Sequence, residues 1–398
     1  MTFPIVLSNP PPRGRKAPSG RDGLAEVAAA GVSHVRAGIG DWNVELADGQ
    51  IANERLLLDA AATHGLRCWL WLGGLPNLPP QSGSPREQLL VKVVNALKKH
   101  PGLGAWKGID EPANPVSTSR VPAAGLVRAY KRLKQLDPAH PVVIIQAPRG
   151  TLADLTPYRG SFDVTGADVY PVSYPPGVHV GGKTTDLGLV GDVTRKMVQA
   201  AGGKPVWTTL QIAWSGVTPS KKRPELVPRF PSLREERFMA YQAIVAGARG
   251  LVFFGGHLTQ VMRPVDAEAG WNWTFWEQVL RPLVAELTST AVAPALVAPA
   301  AKAAVKAGAA DVELTTRQGA GFLYVIAVRR GGATSRVAFT GLPAAVHGGQ
   351  VLFEYVQQPL PPPLGAGKQV FRSVQVTGGG FRDWLGPHDA RVYRFALP

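Results

Sequence analysis

Acidic and aromatic side chains recur where short β-branched runs end. Asp41 and Trp42 close one such run, Trp71 lies near the end of the next, and Asp110 and Glu111 close a third. Further along, Asp168 and Tyr170 end a run, Gln211 and Trp214 belong to another, and His257 follows a last one. Indole and phenol rings stack on the apolar C–H faces of sugars, while carboxylates and amides bond sugar hydroxyls. Cleavage of a glycosidic bond uses two carboxyls, one of which protonates the leaving oxygen. Glu111 has the surroundings of such an acid, because Trp106 and Ile109 precede it and Asp110 stands beside it. Apolar and like-charged neighbours raise a carboxyl's pKa. A structural reading instead gives Asp110 the cap of the following turn and pairs Glu111 with Arg36.

The elements that must position these residues alternate. Strand-like runs cover Phe3–Leu7, Val32–Ile39, Leu66–Leu72, Leu103–Ile109, Val142–Gln146, Val164–Tyr170, Val206–Ile212 and Gly250–Phe254. Helical patterns separate several of them, over Gly23–Ala30, Asn53–His64, Pro85–His100, Ala123–Leu136 and Leu233–Gly247. Strands alternating with helices imply right-handed crossovers and a parallel sheet. The count and length match a closed (β/α)8 barrel of the α/β class, which carries its site at the C-terminal ends of the strands. No glycine-rich phosphate fingerprint follows the first run, which argues against an open dinucleotide-binding sheet. After residue 310 the period changes to two, with runs such as Phe322–Val328 and Ala390–Ala396 and no helix between them. The expectation is a barrel over residues 1–290 and a small all-β sandwich over 291–398.

Composition narrows the class. The 398 residues are 45% hydrophobic and 18% charged, which allows a sizeable core and excludes global disorder. The formal charge is +15. A basic surface attracts polyanions, although scattered arginines can reflect genome composition alone. The densest run, Lys221, Lys222 and Arg223, lacks the interleaved aromatics of a single-strand nucleic-acid binder, so no nucleic acid is expected. Cys68 is the one cysteine, and an intrachain disulfide is impossible. No run reaches the length of a membrane span. No cluster has metal-ligand spacing, so neither a metal nor another cofactor is expected. The first residues have no charged-then-apolar leader. A cytoplasmic protein and a secreted one whose signal peptide was removed are both consistent with that start.

Several segments in order carry a resemblance. Trp106-Lys107-Gly108-Ile109-Asp110-Glu111-Pro112 resembles the fourth-strand motif of clan A glycoside hydrolases, with Asp110 where the family has asparagine. Leu136-Asp137-Pro138-Ala139-His140-Pro141 resembles the lead-in to that family's fifth strand, and Asp168-Val169-Tyr170-Pro171 its sixth-strand motif. Lys204-Pro205-Val206-Trp207 is similar to the lead-in to the seventh strand, and Arg237 to Phe254 to the last helix and strand. The resemblance implies glycoside hydrolysis with Glu111 as the general acid. It also implies a nucleophilic glutamate at the end of the seventh strand, but that stretch reads Thr208-Thr209-Leu210-Gln211-Ile212. An amide cannot attack an anomeric carbon as a carboxylate does.

Asp168 is therefore the best partner for Glu111, with Asp41 second. Strands four and six are not neighbours, so the two carboxyls could stand far enough apart to admit a water, the geometry of inversion. Asp41, Trp42, Trp71, Asp110, Tyr170, Gln211, Trp214 and His257 are the expected substrate-binding residues. The expected partner is a carbohydrate, and Arg36 and Arg149 near strand ends point to an acidic glycan. A non-catalytic carbohydrate-binding barrel is the alternative that the missing nucleophile favours.

Overall fold

A computed structural model describes residues 2–38, 41–115, 120–172, 186–212, 230–254, 273–356 and 368–398. Eight strands pair in chain order: β1 (Ile5–Leu7), β2 (His34–Ala37), β3 (Arg67–Trp71), β4 (Leu103–Lys107), β5 (Val142–Gln146), β6 (Val164–Val169), β7 (Trp207–Gln211) and β8 (Gly250–Phe254). Every pairing is parallel, and β8 closes onto β1 through Ile5↔Leu251, Val6↔Val252 and Leu7↔Phe253. This is the expected closed barrel.

Inward positions alternate with outward ones, and Val6, Trp69, Ala105, Val143, Ile145, Val164, Trp207 and Val252 form the core inside the barrel. Two indoles there need small neighbours. A Cβ on Gly250 would lie 2.6 Å from the Trp207 ring, so only glycine leaves that ring its place.

The described helices between the barrel strands are α1 (Gly23–Ala30), α2 (Ala47–Thr63), α3 (Pro85–Leu97), α4 (Ala123–Leu136), α5 (Leu152–Leu155), α6 (Leu189–Ala201) and α7 (Leu233–Val245). Local chemistry starts them. Asp22 accepts from the Leu24 and Ala25 amides, Ser84 caps α3 ahead of Pro85, and Ser232 and Glu235 form a capping box on α7. Helix α6 is not among the expected ones. Gly191 and Thr194 weaken its helical signal, and it is held by the buried stripe Val190, Val193, Met197 and Ala200.

Beyond the barrel lie β9 (Lys306–Ala307), β10 (Val312–Gly319), β11 (Phe322–Arg329), β12 (Ser335–Thr340), β13 (Gly348–Val356), β14 (Lys368–Gln375), β15 (Gly380–Leu385) and β16 (Ala390–Ala396). They form a five-stranded sheet, β10-β11-β16-β13-β14, and a three-stranded sheet, β15-β12-β9. Val325, Val337, Phe339, Phe381, Tyr393 and Phe395 fill the space between them, with Phe339 and Phe381 stacked at 4.6 Å. The sandwich is as expected, and β9 and β15 add to the expected strands. In β15 an aspartate points inward and a tryptophan outward, which inverts the usual pattern. The inward carboxylate of Asp383 accepts from Arg372 Nη2 at 2.8 Å and from the Tyr393 hydroxyl at 3.0 Å.

The five-stranded sheet packs on α7, and Ile326, Val328, Leu352 and Val392 share one core with Phe238 and Tyr241. A buried ion pair marks this junction. Arg237 Nη2 and Nε reach Glu286 Oε1 at 2.8 and 3.0 Å, and Arg237 Nη1 donates to the Ala390 carbonyl at 2.6 Å. The segment from Thr288 to Ala310 is a packed connection, because its short helix Ala293–Val297 buries Ala295 and Leu296 in the same core.

Glu236 departs from expectation. Helix position predicts a solvated or paired side chain, but it is fully buried on α7, and neither carboxyl oxygen has a hydrogen-bond partner among the described residues. Burial, and then Glu235, push its pKa well above the carboxylate range. An unfolded glutamate loses its proton near about 4.3. The folded chain keeps the proton to higher pH, so stability falls as pH rises above that value. Glu236→Gln should therefore leave stability unchanged near pH 4 and raise it by about 1–3 kcal/mol at neutral pH. Denaturant unfolding across that range measures it, and an equal effect at both ends would refute a buried neutral acid.

Candidate active site

The C-terminal ends of the strands bring one group of charges together. Lys107, the last residue of β4, faces inward and its side chain is only 4% exposed. Its ammonium lies 5.2 Å from the Trp71 ring centroid and 5.8 Å from that of Trp69, and it donates to Asp110 Oδ1 at 2.5 Å. Arg36, at the end of β2, stacks on the Trp71 ring at 5.1 Å. Trp71 approaches β2 closely because residue 38 is glycine at φ 130°, where a Cβ would lie 2.6 Å from the Trp71 amide nitrogen.

Four residues past Lys107 the chain turns sharply. Glu111 has φ 45°, in the left-handed region that a non-glycine residue seldom adopts. The neighbouring strand holds it there. Glu111 N–H donates to Ile145 O at 2.8 Å, and the Ala113 amide donates to the Gln146 side chain at 3.1 Å. The Tyr158 hydroxyl donates to Pro112 O at 3.1 Å. Strained backbone of this kind clusters at functional sites. The carboxylate of Glu111 is half-buried and accepts from Asn114 Nδ2 at 3.0 Å. Burial raises its pKa, the Asn114 bond opposes this, Asp110 adds to the rise, and Arg149 and Lys107 work against it.

Asp168 lies on β6 and is buried. Burial pushes its pKa well up, and the charges of Asp110 and Glu111 push it further, against Lys107 and Tyr170. Asp110, Glu111 and Asp168 thus share one field, with Lys107 as the common opposing charge. Tyr170 follows Asp168 on the same side of the chain, and its ring lies parallel to Phe254 at 5.8 Å. Burial and Asp168 raise the pKa of its hydroxyl.

The other expected residues fall differently. Asp41 is exposed, and its backbone carbonyl accepts from Gln50 at 2.8 Å. It is not among the largest influences on Glu111 or Asp168. Trp42 is half-buried and donates its indole N–H to Trp71 O at 3.0 Å, so it supports Trp71. Gln211 is fully buried, and both ends of its amide are taken by the Val172 backbone at 2.8 Å. It clasps the chain beyond β6. Trp214 and His257 lie outside the described residues. Glu111 does not pair with Arg36; Asp110 is the acidic charge acting on that guanidinium.

Sequence reasoning passes over Lys107, Asn114 and Phe254 as members of this site. Lysine in a strand reads as an exposed residue, yet the inward parity shared with Ala105 is a usable signal. No group of three or more His, Cys, Asp or Glu among the described residues could hold a metal ion. No described helix is long and apolar enough to cross a membrane.

A closed parallel barrel with a trailing antiparallel sandwich is a fold shared with clan A glycoside hydrolases. A GH30 endoxylanase from Clostridium papyrosolvens C71 aligns with TM-score 0.54 at 12% identity, covering 100% of this chain and 97% of that one. A family 39 glycoside hydrolase from Bacteroides cellulosilyticus WH2 aligns with TM-score 0.59 at 11% identity, covering 100% and 81%. A family 51 α-L-arabinofuranosidase from Bifidobacterium longum gives 0.57 at 13%, covering 99% and 95%. At such identity the likeness is one of fold. No protein-family model matches the sequence, and no curated protein matches it.

Lys107→Met removes a cation that favours the ionised form of both acids. The carboxyl pKa values of Glu111 and Asp168 should then both rise. Carboxyl carbon NMR titration of wild type and variant reads the change, and unmoved midpoints would contradict the shared field.

Proposed function

We propose that the chain is a glycoside hydrolase acting on a poly- or oligosaccharide, with Glu111 as general acid and Asp168 as the second carboxyl. The observation that carries this reading is the meeting at the barrel mouth of two carboxyls from non-adjacent strands, both raised by burial, with the charge of Glu111 adding to the rise at Asp168. A carboxyl that keeps its proton to higher pH suits the work of a general acid. Trp71 and Phe254, both half-buried, offer surfaces for sugar rings. The shared barrel-and-sandwich fold supports the same class.

In this mechanism Glu111 donates its proton to the glycosidic oxygen as the bond to the anomeric carbon breaks. Asp168 takes a proton from a water that attacks the opposite face, and the product anomer is inverted. The deeper burial of Asp168 favours a reversed assignment as the competing arrangement, with Asp168 as the acid. A binding barrel without hydrolysis is favoured by Gln211, which stands where a nucleophile would and is held by Val172.

We take the substrate to be an acidic glycan. Among the described residues Arg36 stacks on Trp71 and makes no hydrogen bond or ion pair, which leaves a rigid fork of donors for a sugar carboxylate.

Glu111→Gln should lower turnover of natural glycans by about 10²–10⁴-fold. It should matter far less for activated aryl glycosides, whose leaving oxygen needs little protonation. Asp168→Asn should abolish both. The opposite pattern assigns the acid to Asp168, and sugar binding without turnover of any glycan establishes the binding barrel. Proton NMR of the first product reads the anomer. Arg36→Met should raise KM for a uronate-containing glycan and leave that of its neutral counterpart unchanged; equal changes would remove the acidic assignment.

A further inference from the structure

The outer face of the three-stranded sheet carries an arrangement that the barrel chemistry does not use. In β15 the chain buries Phe381, Asp383 and Leu385 and turns Arg382 and Trp384 outward. Trp384 is 60% exposed. A single exposed apolar side chain is ordinary on a protein surface. Here the neighbours give it a meaning. Arg336 on β12 stands directly opposite Trp384, and Ala338 opposite Arg382. Thr340, also outward on β12, stands opposite Lys306 on β9. The face thus presents one indole and three cations, Arg336, Arg382 and Lys306, all exposed. Its described residues include no outward acid, because the one carboxylate of β15 is turned inward and bonded to Arg372 and Tyr393.

Two further facts keep this face available. Arg336, Arg382 and Lys306 make no hydrogen bond or ion pair among the described residues. Trp384 makes no ring contact there and has no cation stacked on it, so its π face is open to solvent. Residues directly opposite across antiparallel strands hold their Cβ atoms about 5 Å apart, and residues two apart on one strand are about 7 Å apart. An indole lying between two guanidiniums at these spacings matches a chain that alternates flat apolar rings with negative groups.

We propose that the outer face of β15-β12-β9 binds an acidic polysaccharide, with a sugar ring on Trp384 and its carboxylates on Arg336 and Arg382. Single-stranded nucleic acid fits less well, since such sites stack successive bases on several aromatics and this face has one. A membrane surface fits less well, since the residues around the indole are charged or small and would not enter the acyl layer. The net charge of +15 favours approach of any polyanion, and the indole supplies the preference for a sugar. This surface acts independently of the barrel chemistry.

The test is affinity electrophoresis of the full chain in native gels containing polygalacturonate, with neutral xylan and duplex DNA as comparisons. All proteins carry Glu111→Gln, so binding is read whether or not the barrel hydrolyses the glycan. Retardation by polygalacturonate should weaken about tenfold with Trp384→Ala, and at least as much with Arg336→Ala and Arg382→Ala together. Retardation by xylan should be slight and unchanged. Both sites are exposed, and an unaltered thermal transition of each variant confirms that the fold is intact. Retardation by polygalacturonate that neither variant alters overturns the proposal. So does loss with the arginine pair but not with Trp384→Ala, together with equal binding of DNA, which marks a mere polyanion patch. Loss of adsorption to anionic vesicles with Trp384→Ala, without loss on polygalacturonate, assigns the face to a membrane and equally overturns it.

Discussion

An ammonium group inside the wall of a barrel needs compensation, and the mouth of this one is arranged around that need. Lys107 points inward among Trp69 and Trp71 and is all but removed from water. Ring faces stabilise a cation incompletely, and a buried charge without a counter-ion is costly. Asp110 supplies the counter-ion three residues later on the same chain. For that carboxylate to return to the ammonium, the strand must stop and the backbone must bend. The bend carries Glu111 into a left-handed conformation and over the end of the barrel. The same ammonium then opposes the burial that raises the pKa of both Glu111 and Asp168. One charge fixes the turn and tunes both acids.

The strain of that turn is offset from outside it. A left-handed non-glycine residue costs on the order of 1–3 kcal/mol unless its surroundings over-determine it. Here they do: Ile145 and Gln146 from β5 take two amides of the turn, and Tyr158 reaches the Pro112 carbonyl. The position of Glu111 is thus a property of two strands and a following loop together. Gln211 on β7 has a comparable role, since it satisfies both backbone groups of Val172 beyond the neighbouring strand β6. The polar residues at the strand ends divide into those that hold backbone and those that face one another as charges.

That division explains what is legible in the sequence. Barrel and sandwich follow from the change of period along the chain, which burial against a closed sheet and then between two sheets imposes. Glu111 and Asp168 stand out because acids at strand ends have few structural uses. Gln211 occupies an equally conspicuous position, and nothing in its type tells whether its amide meets a ligand or a backbone. Lys107 is hidden for the opposite reason, since lysine on a strand suggests solvent. Glu236 reads as solvated from its helix, yet its side of α7 is covered. The strand β15 escapes notice because its aspartate is satisfied inside by Arg372 and Tyr393, a pairing between β14, β15 and β16 that no local pattern reveals.

Arg237 has its counter-ion in Glu286, which precedes the sandwich, and a further acceptor in the Ala390 carbonyl of its last strand. The barrel helix α7 is therefore neutralised by one segment of the chain and completed by another. The sandwich cannot be treated as a detachable cassette. A chain ending after the barrel would expose the side of α7 that shares a core with the five-stranded sheet and strip Arg237 of a buried acceptor, and a nascent barrel leaving the ribosome is in that condition until β16 arrives. Residues of β16 are among those that close the hydrophobic surface of the seventh helix, which ties completion of the barrel to formation of the sandwich.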